Sequence, residues 1–117
     1  NPKIAGAHIF DLEALRNRTM DDDDLMREVL DVFFRDMRIR IDQLDAMVKT
    51  GDLEAIRAEA HKIKGAAANV GGMALSAAAS EAECVGNPEA NDNISAIVAS
   101  VKGQFKRFDR AVELMLA

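Results

Sequence analysis

Apolar residues recur along the chain with the period of amphipathic helices rather than that of strands. The longest stripe has successive spacings of 4, 3, 4, 4, 3 and 4 residues, and its members are Met26, Leu30, Phe33, Met37, Ile41, Leu44 and Val48. This spacing predicts one long helix with a single face turned towards a core. Similar stripes run from Leu53 to Val70 and from Ile94 to Met115.

Turn and capping residues divide the chain into five predicted helices. Asp11 is a plausible N-cap, residues 50–52 (Thr-Gly-Asp) indicate a helix end and a new N-cap, and residues 71–72 (Gly-Gly) and 86–88 (Gly-Asn-Pro) indicate two further breaks. The predicted helices span residues 11–17, 22–49, 52–69, 73–85 and 91–116. Short loops between the four longer helices predict an all-α fold, an antiparallel up-down-up-down four-helix bundle. The short first helix would cover the core, and we expect residues 1–117 to form a single domain.

Composition excludes several classes of protein. The net charge of −5 over 117 residues makes non-specific attraction to nucleic acid or anionic lipid unlikely as a default, so neither is an expected partner. A single cysteine, Cys84, has no intramolecular disulfide partner, which favours a reducing compartment such as the cytoplasm. The apolar runs are too short to span a bilayer.

Most signatures of catalysis are missing from the sequence. There is no GxxxxGK[ST] or GxGxxG motif for phosphate binding, so intrinsic ATP hydrolysis is not expected. A di-iron bundle needs Glu-x-x-His pairs, but Ala5 and Ala58 stand three residues before His8 and His61. The serines lie in helical stretches without an elbow motif. We expect Cys84 to be a small buried residue on the inner side of the fourth helix.

Residues 57–65 (Arg-Ala-Glu-Ala-His-Lys-Ile-Lys-Gly) carry three cations and one anion within a chain of negative net charge. On a helix, Arg57, His61, Lys64, Gly65 and Ala68 occupy positions i−4, i, i+3, i+4 and i+7, which places them on one side. This side borders the buried stripe. We therefore expect the imidazole at its edge, largely facing solvent.

Gly65 makes this histidine unusual, because glycine costs about 1 kcal/mol relative to alanine inside a helix. Any side chain at that position would cover the surface beside His61. Lys64 offers an ammonium for an anion at the ring, and nearby positive charge favours the neutral, nucleophilic imidazole. Gly103, a second mid-helix glycine, can be assigned only to close helix packing. Physical reasoning alone leaves a functional and a structural interpretation of His61 equally open.

Residues 60–71 (Ala-His-Lys-Ile-Lys-Gly-Ala-Ala-Ala-Asn-Val-Gly) resemble the signature of histidine phosphotransfer (HPt) domains of multistep phosphorelays. The resemblance extends to most of the chain, with an acidic start to a long helix, a Thr-Gly-Asp hairpin turn, a short alanine-rich helix and a final long helix. It is closest to the monomeric type found in hybrid sensor kinases. A location in the cytoplasm follows, either as a separate protein or as the cytoplasmic domain of a larger membrane sensor kinase.

The resemblance implies that His61 is phosphorylated on Nε2. The phosphoryl group would come from the aspartyl phosphate of one receiver domain and pass to the aspartate of another. Lys64 would stabilise the phosphoryl charge and Gly65 would give access. The residues expected to contact the receiver are Arg57, Lys62, Ala68 and Asn69.

The resemblance also implies that the domain has no cofactor and no ATP-dependent kinase activity of its own, because the Mg²⁺ of the reaction belongs to the receiver. We expect a monomer without membrane contact. An alternative stays open, namely a non-catalytic helical interaction module that docks through the face carrying His61. A dimeric relative with a degenerate ATP-binding domain is less favoured, since 117 residues leave no room for that second domain.

Overall fold

The computed structural model describes residues 9–86 and 93–116, and all regular secondary structure within them is helical. The helices are α1 (Leu12–Arg18), α2 (Asp23–Thr50), α3 (Leu53–Asn69), α4 (Met73–Ala82) and α5 (Ile94–Leu116). Helix α3 packs against α2 and α4, and α5 packs against α4 and α2, which closes four helices into a bundle. The predicted four-helix bundle with a short additional N-terminal helix is thus confirmed.

The core is built from the predicted apolar stripes. Six of the seven stripe positions on α2 are buried, and Val48, near the end of that helix, is partly buried. Five phenylalanines form a continuous ring cluster with centroid separations of 5.2 to 5.7 Å, and they are Phe10, Phe33, Phe34, Phe105 and Phe108. None of the helices in residues 9–86 and 93–116 combines the length and apolar character needed to cross a bilayer.

Helix α1 lies over the end of the bundle where α3 turns into α4. Its Leu15 side chain is fully buried. The Asp11 N–H donates a hydrogen bond of 2.7 Å to the Gly71 carbonyl oxygen, and Arg18 Nη1 donates one of 2.6 Å to the carbonyl oxygen of Ala68. These contacts attach the short helix to the last turn of α3, where a cation also interacts favourably with unpaired carbonyl groups.

Aspartates cap the first three helices. Asp11, Asp22 and Asp52 each accept a hydrogen bond of 3.0 to 3.1 Å from the backbone N–H three residues later. Each of these bonds satisfies one of the donors that a helix N-terminus leaves unpaired. Gly51 ends α2 in the left-handed conformation, with φ of +70°. The hairpin between α2 and α3 is therefore encoded locally, in residues 50–52.

Two helix boundaries differ from the prediction. Helix α4 ends at Ala82, three residues early, because the chain tightens into bonds from the Cys84 N–H to the Glu81 carbonyl oxygen (3.1 Å) and from the Val85 N–H to that of Ala82 (3.4 Å). Helix α5 begins at Ile94, with Asn93 as its cap. The predicted start at residue 91 lies outside the described residues.

The early end of α4 also overturns the expectation for Cys84. A continuing helix would turn this side chain inward, but in the turn it is exposed, with its sulfur 3.5 Å from the Ser80 carbonyl oxygen. The expectation for Gly103 is wrong as well. This glycine is exposed, and a Cβ built there would meet no atom within 4 Å, so close helix packing does not explain it.

Candidate functional site

One side of α3 faces the turn that follows α4. Arg57 Nη1 donates a hydrogen bond of 2.7 Å to the Val85 carbonyl oxygen. Four residues further along, His61 Nδ1 contacts Glu83 Oε1, and Lys64 Nζ donates a bond of 2.6 Å to Glu83 Oε2. The helical spacing therefore brings the predicted residues to one side, and the turn at residues 83–85 completes the site.

The imidazole of His61 lies at the protein surface. Its side chain is 72% exposed. The structure pairs Nδ1 with Glu83 and, among the described residues, gives Nε2 no hydrogen-bond partner. One ring nitrogen is therefore held by the protein while the other faces solvent, where a second molecule can reach it.

Glu83 connects the histidine to the lysine. Each carboxylate oxygen has one partner, and the Glu83 side chain is 22% exposed whereas that of Lys64 is 34% exposed. The hydrogen bond from Lys64, followed by the one from His61, holds the pKa of Glu83 below its usual value. Glu83 is therefore ionised at neutral pH and can only accept hydrogen bonds.

The sequence analysis missed Glu83, and its expectation of a purely cationic surrounding for the ring is wrong. Glu59, the one acidic residue within residues 57–65, is buried and pairs with Arg40 of α2 at 2.9 Å instead. A signal for Glu83 was available, because the glycine pair at 71–72 folds α3 back against α4. His61 stands ten residues before Gly71 and Glu83 stands eleven after Gly72, so the hairpin places them opposite each other.

The remaining predicted residues surround the imidazole in different ways. Gly65, Lys62 and Asn69 are exposed on α3, whereas Ala68 is partly buried and its carbonyl oxygen accepts the bond from Arg18. A Cβ built on Gly65 would meet no atom within 4 Å. The glycine therefore leaves open space beside the ring, and a methyl group there would obstruct a partner rather than the histidine itself.

Arg57 differs from the other predicted docking residues because it is half-buried and bound to the Val85 carbonyl oxygen. Its guanidinium holds the turn that carries Glu83. Within residues 9–86 and 93–116, no three His, Cys, Asp or Glu side chains come together as a set of metal ligands.

Comparison with known proteins gives the family. The model described as Hpt domain matches residues 28–115, a range that contains His61, Lys64 and Gly65. The fold matches the crystal structure of histidine-containing phosphotransfer protein B (HptB) from Pseudomonas aeruginosa PAO1, with a TM-score of 0.83, 24% identity, and coverage of 94% of this chain and 96% of that chain. No curated protein sequence matches the chain. The chain belongs to the Hpt domain family and has a histidine phosphotransfer role in two-component phosphorelays.

Proposed function

We propose that the domain accepts a phosphoryl group from the aspartyl phosphate of a receiver domain onto Nε2 of His61 and passes it to the aspartate of another receiver. The observation that carries the proposal is the 72% exposed imidazole, with Nδ1 on Glu83 and Nε2 facing solvent. An exposed and oriented ring nitrogen is the group that nucleophilic capture of phosphorus needs.

Each transfer exchanges one bond for another. On acceptance, the Nε2 lone pair forms the P–N bond while the P–O bond of the acyl phosphate breaks, and the aspartate carboxylate leaves with the electron pair. Donation is the reverse reaction with a second aspartate. Catalysis of such a step depends mainly on in-line positioning and on neutralising the phosphoryl oxygens.

Lys64 provides the positive charge next to the acceptor. Its ammonium is 34% exposed and is held on the same carboxylate as the ring. We propose that it also contacts the phosphoryl oxygens in the transition state, as a flexible point charge can. The Mg²⁺ of the reaction would be supplied by the receiver, and the domain itself would need no cofactor.

The receiver would dock over the outward side of α3 as a partner of a monomeric domain. Lys62, Asn69 and the open position at Gly65 are exposed there, with Ala68 at the border. Arg57 would contribute mainly through the turn that it holds. We expect a small, transient interface at the lower end of the size range, below about 1,200 Å².

Transfer from receiver domains tests the proposal. Candidate receivers are charged with ³²P-labelled acetyl phosphate, separated from the donor and mixed with the domain. We expect rapid labelling of the domain with phosphate that is labile in acid and stable in base, as a phosphoramidate bond is. A receiver that binds tightly without transferring label would contradict the proposal and favour the interaction module.

Substituting Gly65 by alanine separates access from folding. Since a methyl group has open space at this position, Gly65→Ala is expected to raise the free energy of unfolding by about 1 kcal/mol. It should slow transfer from a receiver about tenfold or more, because small displacements from in-line geometry are costly. Acceptance from phosphoramidate, a donor small enough to approach past a methyl group, should stay unchanged.

Gly103→Ala is the matched control for this experiment. It is also an exposed mid-helix glycine with open space around it, and it lies on α5. We expect the same gain in stability, measured by urea denaturation, and no change in either transfer rate. Equal receiver transfer rates for the two variants would contradict the role of Gly65 in access.

A further inference from the structure

We infer that Glu83 is a positioning residue that fixes His61 in the tautomer whose Nε2 carries the lone pair. It does so by engaging Nδ1 and Lys64 with its two oxygens at once. The inference rests on the proposed function, because the tautomer matters for chemistry only if Nε2 attacks phosphorus.

The tautomer follows from the hydrogen-bonding capacity of the groups. A neutral imidazole carries one hydrogen, which can reside on either nitrogen. The ionised Glu83 carboxylate only accepts hydrogen bonds, so the nitrogen facing it must be the donor. The hydrogen is therefore on Nδ1, and Nε2 is left with its lone pair towards solvent.

Two neighbours keep the carboxylate in place. Lys64 has donors only and takes Oε2 at 2.6 Å, which leaves Oε1 for the ring. The backbone of the turn is held next to Glu83, since Val85 is buried and its carbonyl oxygen accepts the 2.7 Å bond from Arg57. The carboxylate is therefore oriented before any partner arrives.

The same carboxylate also faces the charge that develops in the reaction. When Nε2 bonds to phosphorus, the ring keeps its hydrogen on Nδ1 and becomes cationic. The hydrogen bond to Glu83 then becomes one between two charged groups, which is stronger than its neutral counterpart. Lys64 lies close enough to the ring to exchange its carboxylate contact for a phosphoryl oxygen without leaving the site.

Glu83→Gln tests this role with a side chain of nearly the same shape. The amide has one acceptor oxygen and one NH₂ donor. Because Lys64 can only donate, it should take the amide oxygen, which turns the NH₂ towards Nδ1. Nδ1 must then accept, and the ring hydrogen moves to Nε2. The matched control is Glu113→Gln, which removes the same charge from an exposed position on α5.

The tautomer is read from the ¹⁵N shifts of the His61 ring at about pH 8.5, above the usual titration range of histidine. We expect hydrogen on Nδ1 in the wild type and in Glu113→Gln, and on Nε2 in Glu83→Gln. Acceptance from phosphoramidate should fall about tenfold to a hundredfold in Glu83→Gln alone, the range that a lost charge-assisted hydrogen bond gives. In this reaction the P–N bond to ammonia breaks, ammonia leaves, and the P–Nε2 bond forms.

Two results would overturn the inference. Glu83→Gln might keep its hydrogen on Nδ1, or it might change tautomer without accepting more slowly. A merely structural role would lower the free energy of unfolding and leave the ¹⁵N pattern as in the wild type. The ¹⁵N measurement needs no phosphodonor, so a wild type with hydrogen on Nδ1 that takes no label from any receiver removes the proposed function alone.

Discussion

His61→Gln is expected to abolish phosphoryl acceptance while leaving the bundle folded. The glutamine side chain has no ring nitrogen to attack phosphorus, and position 61 is exposed, so the core loses no contact. Glutamine is also a better helix former than histidine, and its NH₂ group can still donate to Glu83. We expect no detectable label from any receiver or from phosphoramidate. The free energy of unfolding should stay within about 0.5 kcal/mol of the wild type, as for most surface substitutions.

His8→Gln provides the control for this experiment. His8 is the other of the two histidines in the sequence and lies outside the described residues. This variant should accept and donate label at wild-type rates. Acid-labile label that persists in His61→Gln and disappears in His8→Gln would move the acceptor to the other histidine and refute the assignment.

The fold could be predicted from the sequence because its determinants are local. The α2 stripe with its spacings of 3 and 4 fixes which side of a long helix is buried. The caps at Asp11 and Asp52 need only a side chain and the N–H three residues away. The end of α4 was misjudged because alanine-rich helices carry no strong stop signal before the glycine at 86. Cys84 was therefore placed on a helical face that does not exist.

The site was predictable only as far as it lies within one helix. Spacing along α3 identified His61, Lys64 and Gly65, since positions 3 and 4 apart share a side. Glu83 is 22 residues from the histidine, and its position depends on where α4 ends and on how the Gly-Gly turn folds the chain back. Counting charges along the sequence gave a cationic surrounding. The pairing of helices supplied the carboxylate that the ring faces.

Gly71→Ala is expected to cause a large loss of stability, about 2 to 4 kcal/mol, although it changes the same residue type as Gly65→Ala. Gly71 is buried and has φ of +79°, a conformation that side chains with a Cβ rarely adopt. A Cβ there would fall inside van der Waals contact with the carbonyl oxygen of Asp11. Relieving that overlap would lengthen the 2.7 Å hydrogen bond from the Asp11 N–H and loosen α1, which buries Leu15.

Urea denaturation of Gly71→Ala and Gly65→Ala measures this contrast directly, with one expected to unfold at lower and the other at higher denaturant concentration than the wild type. Wild-type stability in Gly71→Ala would show that neither the left-handed backbone nor the attachment of α1 matters there. Below its unfolding transition, Gly71→Ala should still accept from phosphoramidate at the wild-type rate, because His61 and Glu83 lie away from the turn. The conserved look of a single motif would then divide into two physical parts. Residues 61–65 carry the chemistry, while the glycine at 71 shapes the hairpin that brings a carboxylate to it.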